Sequence, residues 1–305
     1  MKILLFIASL FLAISLLAQS PKVEEGYKDI YGTKLYYKTV GEGEPILIVH
    51  GGPGLEHSYF LPHFNELAKK HKLIFFDLRA HGKSDANIDS AHIQLSYFVD
   101  DIEEMRKAFG IEKLVLLGHS FGGLLVENYA VKYPSNLKAL ILVSPAAHDS
   151  KYTIEASKII KERTTQQDLI DRETVMSSPE FKKAYSKAYE KLFRINFRTG
   201  FANRTLIDSL QLSFPKNYQE RSMLLRKIFP ENWFYSPTSK FTNILCPVLI
   251  IYGEFDAMPK ACYEDLQSRI LKSTLVAIPN SGHFPFIEAK EKFFAETEKF
   301  LIGLK

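Results

Sequence analysis

The sequence predicts an α/β fold: a mostly parallel sheet with helices on both faces, carrying an inserted helical cap. Three observations predict it. Short apolar runs of strand length alternate with helical stretches in both halves of the chain, and several of the runs end in glycine-containing turns. Between them, from about Asp149 to Phe241, the strand pattern stops and helical periodicity replaces it. At 305 residues, 46% hydrophobic and 24% charged, the chain can bury one large core with an insertion and has no disorder-prone composition.

In chain order, Met1-Lys2 followed by the apolar run Ile3 to Leu17 has the charged start and hydrophobic centre of a secretory leader. The run is shorter than the ~20 residues that cross a bilayer comfortably. Residues 1–20 are therefore expected to be removed, with cleavage after Ala18 or Ser20, and the product to be periplasmic or secreted; an uncleaved run would anchor it to the membrane. Lys34 to Val40 reads as an early strand, Ile46 to Val49 as the next, and Lys72 to Phe76 as another. Leu95 to Phe109 is amphipathic and reads as a helix. Leu114 to Leu117 is an apolar strand entering Gly118-His119-Ser120-Phe121-Gly122, and Leu137 to Val143 is the strand after it. The insertion carries Ser178-Pro179-Glu180 as a helix start, with Phe181, Ala184, Tyr185, Ala188 and Leu192 on one face. Pro247 to Tyr252 and Thr274 to Ile278 close the sheet. The expected division is 21–148 and 242–305 for the two parts of the core and 149–241 for the cap.

The chemistry concentrates where strands end. Gly-x-Ser-x-Gly alone would occur by chance in about one such chain in twenty, but here it sits between a strand and a helix, the context of a nucleophile elbow. A serine hydroxyl needs a base to take its proton and a carboxylate to orient that base. Pro247–Tyr252 leads into Gly253-Glu254-Phe255-Asp256, and Thr274–Ile278 leads into Gly282-His283. Asp256 is preferred to Glu254 because it lies farther beyond the strand, where the loop can turn toward His283. The order Ser120, Asp256, His283 thus supplies nucleophile, acid and base. The backbone N–H groups of Gly52 and Phe121 are the expected oxyanion donors: one follows the nucleophile, and the other lies in the glycine-rich loop after an earlier strand.

Over roughly residues 30 to 300 these motifs resemble the α/β-hydrolase superfamily. Within it, His50-Gly51-Gly52-Pro53-Gly54 resembles the signature of prolyl iminopeptidases and their tricorn-associated relatives, as does Asp77-Leu78-Arg79-Ala80-His81-Gly82-Lys83-Ser84. Ala80 stands where those proteins usually have glycine, and Phe121-Gly122-Gly123 stands where prolyl iminopeptidases tend to have Trp-Gly-Ser. The resemblance implies an acyl-enzyme hydrolase that releases N-terminal residues from small peptides. Recognition of a free ammonium would then fall to a cap carboxylate, with Glu155, Glu162, Glu173, Glu190, Glu220 and Glu231 available. The alternative is a carboxylesterase with an apolar acyl pocket lined by cap Phe and Tyr residues. More remote is a ligand-binding receptor that keeps the fold without turnover. Epoxide hydrolases and haloalkane dehalogenases use an aspartate nucleophile, so Ser120 excludes their chemistry.

No cofactor is called for. His50, His81 and His119 lie beside the motifs, but no His-Glu-x-x-His or paired Cys/His spacing makes a metal site of them, and they read as loop-packing residues. Asp77 and Arg79 read as a structural pair at a strand end. Residues 150–240 hold 17 Lys plus Arg against 10 Asp plus Glu, while the whole chain has a net charge of +4. This basic insertion reads as a solvated helical face; steering of anionic substrates is the other reading. The expected partner is a small-molecule or short-peptide substrate, with no nucleic acid and no stable membrane insertion once the leader is removed. Cys246 opens the strand that carries Asp256 at its far end, about 20 Å away, beyond disulfide reach of Cys262 unless the chain doubles back.

Overall fold

The computed structural model describes residues 21–227 and 238–304. The expected leader and residues 228–237 of the expected cap, Glu231 among them, lie outside that range. One eight-stranded sheet organises the chain: β1 Val23–Ile30, β2 Thr33–Val40, β3 Glu44–Val49, β4 His71–Phe76, β5 Leu114–His119, β6 Leu137–Val143, β7 Val248–Gly253 and β8 Ser273–Ile278. The spatial order is β1-β2-β4-β3-β5-β6-β7-β8. The β1/β2 and β2/β4 pairs are antiparallel, and every pair from β4/β3 to β7/β8 is parallel.

Helices cover both faces, which is why the central strands read as unbroken apolar runs. Alternate residues divide between two cores. Leu47, Val49, Leu116, Leu140 and Ile250 pack with Phe98, Ile102 and Met105 of α1 (Leu95–Ala108) and with Leu125 and Tyr129 of α2 (Phe121–Lys132). Ile46, Ile48, Val115, Leu117, Ile141 and Leu249 pack on the opposite face with Phe293, Phe294 and Leu301 of the C-terminal helix Lys290–Ile302. Each such side chain contributes about 1.5–3 kcal/mol by leaving water.

Between β6 and β7 the chain forms α3 (Ser150–Arg163), α4 (Gln166–Ser177), α5 (Ser186–Phe197) and α6 (Tyr218–Leu225), with shorter turns between them. After β7 comes α7 (Lys260–Arg269), and α8 is the Lys290–Ile302 helix.

Two local expectations differ from what is found. The face from Phe181 to Leu192 is not one helix: the turn Pro179–Lys182 ends in Ala184 at φ 58°, and α5 begins at Ser186. The Tyr185 N–H donates to the Glu180 carbonyl and the Ala184 N–H to that of Phe181, both at 2.9 Å, closing the turn in the manner of a left-handed C-cap. Tyr185 is consequently 55% exposed, whereas Ala188 is buried. The other difference is β1, an edge strand that the apolar pattern does not reveal because its outer residues are exposed. Cys246 and Cys262 are both buried free thiols.

Candidate active site

Four parallel strands deliver their C-terminal ends to one edge of the sheet, the edge where such folds place ligands. From β3 comes the loop with Gly52, from β5 Ser120, from β7 Asp256 and from β8 His283.

Ser120 occupies the turn between β5 and α2 at φ 56° and ψ −122°, a conformation that costs a non-glycine residue free energy. Its flanks show how the turn is built. A Cβ at 118 would fall on the Gly122 carbonyl oxygen, and one at 122 on the Val49 carbonyl oxygen, so glycine at both lets helix, strand and β3 loop meet. Gly51 belongs to the same close approach, since a Cβ there would stand 3.0 Å from the Ser120 Cβ. Ser120 also opens α2, where N–H groups and the helix dipole favour negative charge. Among the described residues, none accepts a hydrogen bond from the Gly52 or Phe121 N–H.

Asp256 lies beyond β7, 6% exposed, and its carboxylate faces the His283 ring: Nδ1 stands 3.0 Å from Oδ2 and 3.2 Å from Oδ1. The Tyr263 hydroxyl donates to Oδ2 at 2.9 Å and the Met258 N–H to Oδ1 at 3.2 Å. Burial works to raise the Asp256 pKa, but the charge and hydrogen bond of His283, with the Met258 and Tyr263 donors, outweigh it and hold the carboxyl below its usual value. Glu254 is exposed at the same loop and does not meet His283. Tyr263 sits on α7, a helix that carries no motif of its own in the sequence.

Ser120, His283, Gly52 and Phe121 line one cavity of about 290 Å³, whose other walls are mostly apolar: Pro53, Leu124, Ala146, Ala147, Met258 and, from the insertion, Ala156, Ile160 and Phe197. Thr153 and Ser157 supply its remaining hydroxyls. Of the six glutamates considered for an ammonium, Glu155, Glu162, Glu173, Glu190 and Glu220 are absent from these walls, and Glu231 lies outside the described residues. A larger groove of about 700 Å³ opens at the opposite edge, around Glu44, Lys72 and Lys138. Its described lining includes no serine, threonine, cysteine or histidine.

The insertion is tied to both loops. The Gly200 carbonyl accepts the His283 N–H at 2.7 Å, and the Arg163 guanidinium donates to the Phe255 carbonyl at 2.6 Å while stacking 3.7 Å from the centre of the Phe255 ring. Asp77 and Arg79 do not pair with each other. Arg79 holds Asp101 of α1 at 2.5 and 2.7 Å, and Asp77 accepts from the His57 ring at 2.7 Å and the Lys83 N–H at 2.8 Å. Donor atoms of Glu56, His57 and Asp77 converge within 4.8 Å, and the His57 ring nitrogen itself bridges the two carboxylates, standing 3.0 Å from Glu56. Burial opposes a charge on His57, yet the hydrogen bonds it donates to Asp77 and Glu56 push its pKa up to about 9.

Residues 44–290 match the model of the alpha/beta hydrolase fold family. The chain belongs to that family. With Ser120 at the elbow, membership makes it a serine hydrolase, and it resembles prolyl iminopeptidases. It is 30% identical to a protein named Proline iminopeptidase from Saccharolobus solfataricus, over 94% of this chain and 95% of that one. A second protein of that name, from Heyndrickxia coagulans, is 27% identical over 91% of this chain and 98% of its own length. Among solved structures, the proline iminopeptidase of Mycobacterium smegmatis superposes with a TM-score of 0.69 at 18% identity, covering 92% of this chain and 98% of that one, a likeness of fold.

Proposed function

We propose that this hydrolase works through an acyl-enzyme on Ser120 and cleaves small amide substrates as a prolyl iminopeptidase does. The observation that carries the mechanism is the common cavity of Ser120 and His283, with Asp256 bonded to the far side of the His283 ring. Attack of Ser120 Oγ on the substrate carbonyl passes the hydroxyl proton to His283 Nε2. Asp256 keeps the Nδ1 proton in place and stabilises the imidazolium, and the N–H groups of Gly52 and Phe121 take the oxyanion. Collapse expels the amine with the His283 proton. Water, activated by the same ring, then releases the acid. The substrate class follows the two relatives named Proline iminopeptidase, and the insertion acts as the cap that closes an acyl pocket of a size to take a proline ring.

A carboxylesterase reading is favoured by one feature, the absence of a carboxylate from the described cavity walls. Three substrates separate the two: a proline arylamide, its N-acetylated form, and a p-nitrophenyl ester. Peptidase function predicts that acetylation, which removes the free ammonium, lowers kcat/KM by about a hundredfold or more. Equal turnover of both arylamides would remove the requirement for a free amine and with it the iminopeptidase reading; ester turnover with neither arylamide cleaved would favour the esterase instead. The leader-like start of the sequence supports export; fractionation together with N-terminal sequencing of the mature protein tests it.

A further inference from the structure

The elbow residue His119 and the loop residue Tyr59 are fully interior, yet they are more than packing. The Gly51 N–H donates to the Tyr59 hydroxyl oxygen at 2.6 Å, which leaves the Tyr59 proton for its other neighbour, His119 Nδ1, at 2.8 Å. Nδ1 must then accept, so the neutral His119 ring carries its proton on Nε2 and donates it to the His283 carbonyl at 2.9 Å. Burial drives the His119 pKa down to about 3, with the neighbouring His283 adding to the effect, so the ring keeps this tautomer across the working pH range. Gly51 is gripped on its other side as well. The Leu78 N–H donates to His50 Nε2 at 3.1 Å, so His50 Nδ1 bears a proton and gives it to the Gly51 carbonyl at 2.7 Å.

That carbonyl and the Gly52 N–H belong to one planar, trans peptide and point in opposite directions. Holding the carbonyl therefore aims the N–H.

We propose that Tyr59 and His119 are positioning residues: their hydrogen-bonded chain holds the Gly51 N–H, one peptide before the one that presents the Gly52 N–H and is itself held by His50, and so keeps this loop in register with the loop presenting His283. The proposal rests on the acyl-enzyme reading above. Its consequence is that the oxyanion donor and the general base move as one unit although they come from opposite halves of the sequence. A small displacement of either costs about 10- to 100-fold in rate, because such donors act only when aimed at the developing charge.

The test is Tyr59→Phe, which keeps the ring and removes both hydrogen bonds, compared with wild type on a chromogenic substrate and on a boronic acid that mimics the tetrahedral intermediate. The expected result is a kcat lowered about 10- to 100-fold, KM within twofold, and boronate affinity weakened by a factor close to that in kcat/KM. Wild-type kcat and boronate affinity per folded molecule, with only a lower Tm, would overturn the proposal. Should Tyr59→Phe fail to fold, the pair His119→Gln and His119→Leu decides it. Gln can accept from Tyr59 and donate to the His283 carbonyl, so it should recover most of the rate that Leu loses; equal rates in the two would overturn the proposal. Labelling of wild type by a fluorophosphonate at Ser120 is measured first: no labelling would sink the acyl-enzyme reading itself, whereas labelling with unaffected variants would sink only the positioning chain.

Discussion

At the residue scale the site separates strain from chemistry. Ser120 is held at φ 56° whatever its side chain does, so Ser120→Ala should keep the fold and lose both hydrolysis and fluorophosphonate labelling. Ser120→Gly should lose them too, and unfold in urea with about 1 kcal/mol more stability, because glycine tolerates that turn. Urea titrations of the three proteins check the difference, and a less stable Gly variant would show that the turn stores no strain. Asp256 has a separate role. Asp256→Asn should lower kcat on the order of 10³- to 10⁴-fold by permitting the wrong imidazole tautomer, while Glu254→Gln should leave kcat within twofold. The reverse pattern would move the acid to Glu254.

At the scale of elements, the end of β4 is fastened to the turn His57–Phe60 by an ionised histidine between two carboxylates. The folded His57 pKa, about 9, lies above the ~6.5 of an unfolded imidazole, so its contribution is complete below pH ~6.5 and disappears as pH rises through 9. Stability should fall by no more than about 3 kcal/mol across that interval, and His57→Gln should flatten the fall. The two buried thiols lose stability in the same direction, but only above ~8.5, where unfolded cysteine ionises. Urea midpoints from pH 6 to 9.5 give the slopes. A strand buried on both faces, such as β5 or β6, is legible because its central positions must be apolar on both faces, as Leu114–Leu117 and Ala139–Val143 are. β1 is not, since pairing rather than burial holds it, with Val23 and Tyr27 more than half exposed. The break at Ala184 was hidden for another reason: no glycine or proline marks it, and the left-handed residue is an alanine. Ser120, Asp256 and His283 could be named because each follows a strand. Tyr59 and His119 could not be linked, being 60 residues apart in sequence, with His119 a further 164 from His283.

At the scale of the whole molecule the insertion braces the site as well as walling it. Arg163, at the end of α3, meets the carbonyls of Phe255 and Asp256 and the face of the Phe255 ring, so it fixes the acid loop from above. Arg163→Ala should lower kcat about tenfold. Arg163→Lys should not restore it, because an ammonium neither stacks nor forks; steady-state rates of the two variants check this, and a fully active Lys variant would reduce the contact to a simple charge. The sheet order has a consequence in time. β8 is an edge strand and the final one to emerge from the ribosome, and His283 follows it. On the proposed mechanism, a nascent chain displays Ser120 and the Gly52 loop long before it owns His283, and it should stay chemically silent while it is synthesised. Turnover would then begin only when the last strand docks, which would make the enzyme's own activity a clock for the completion of its folding.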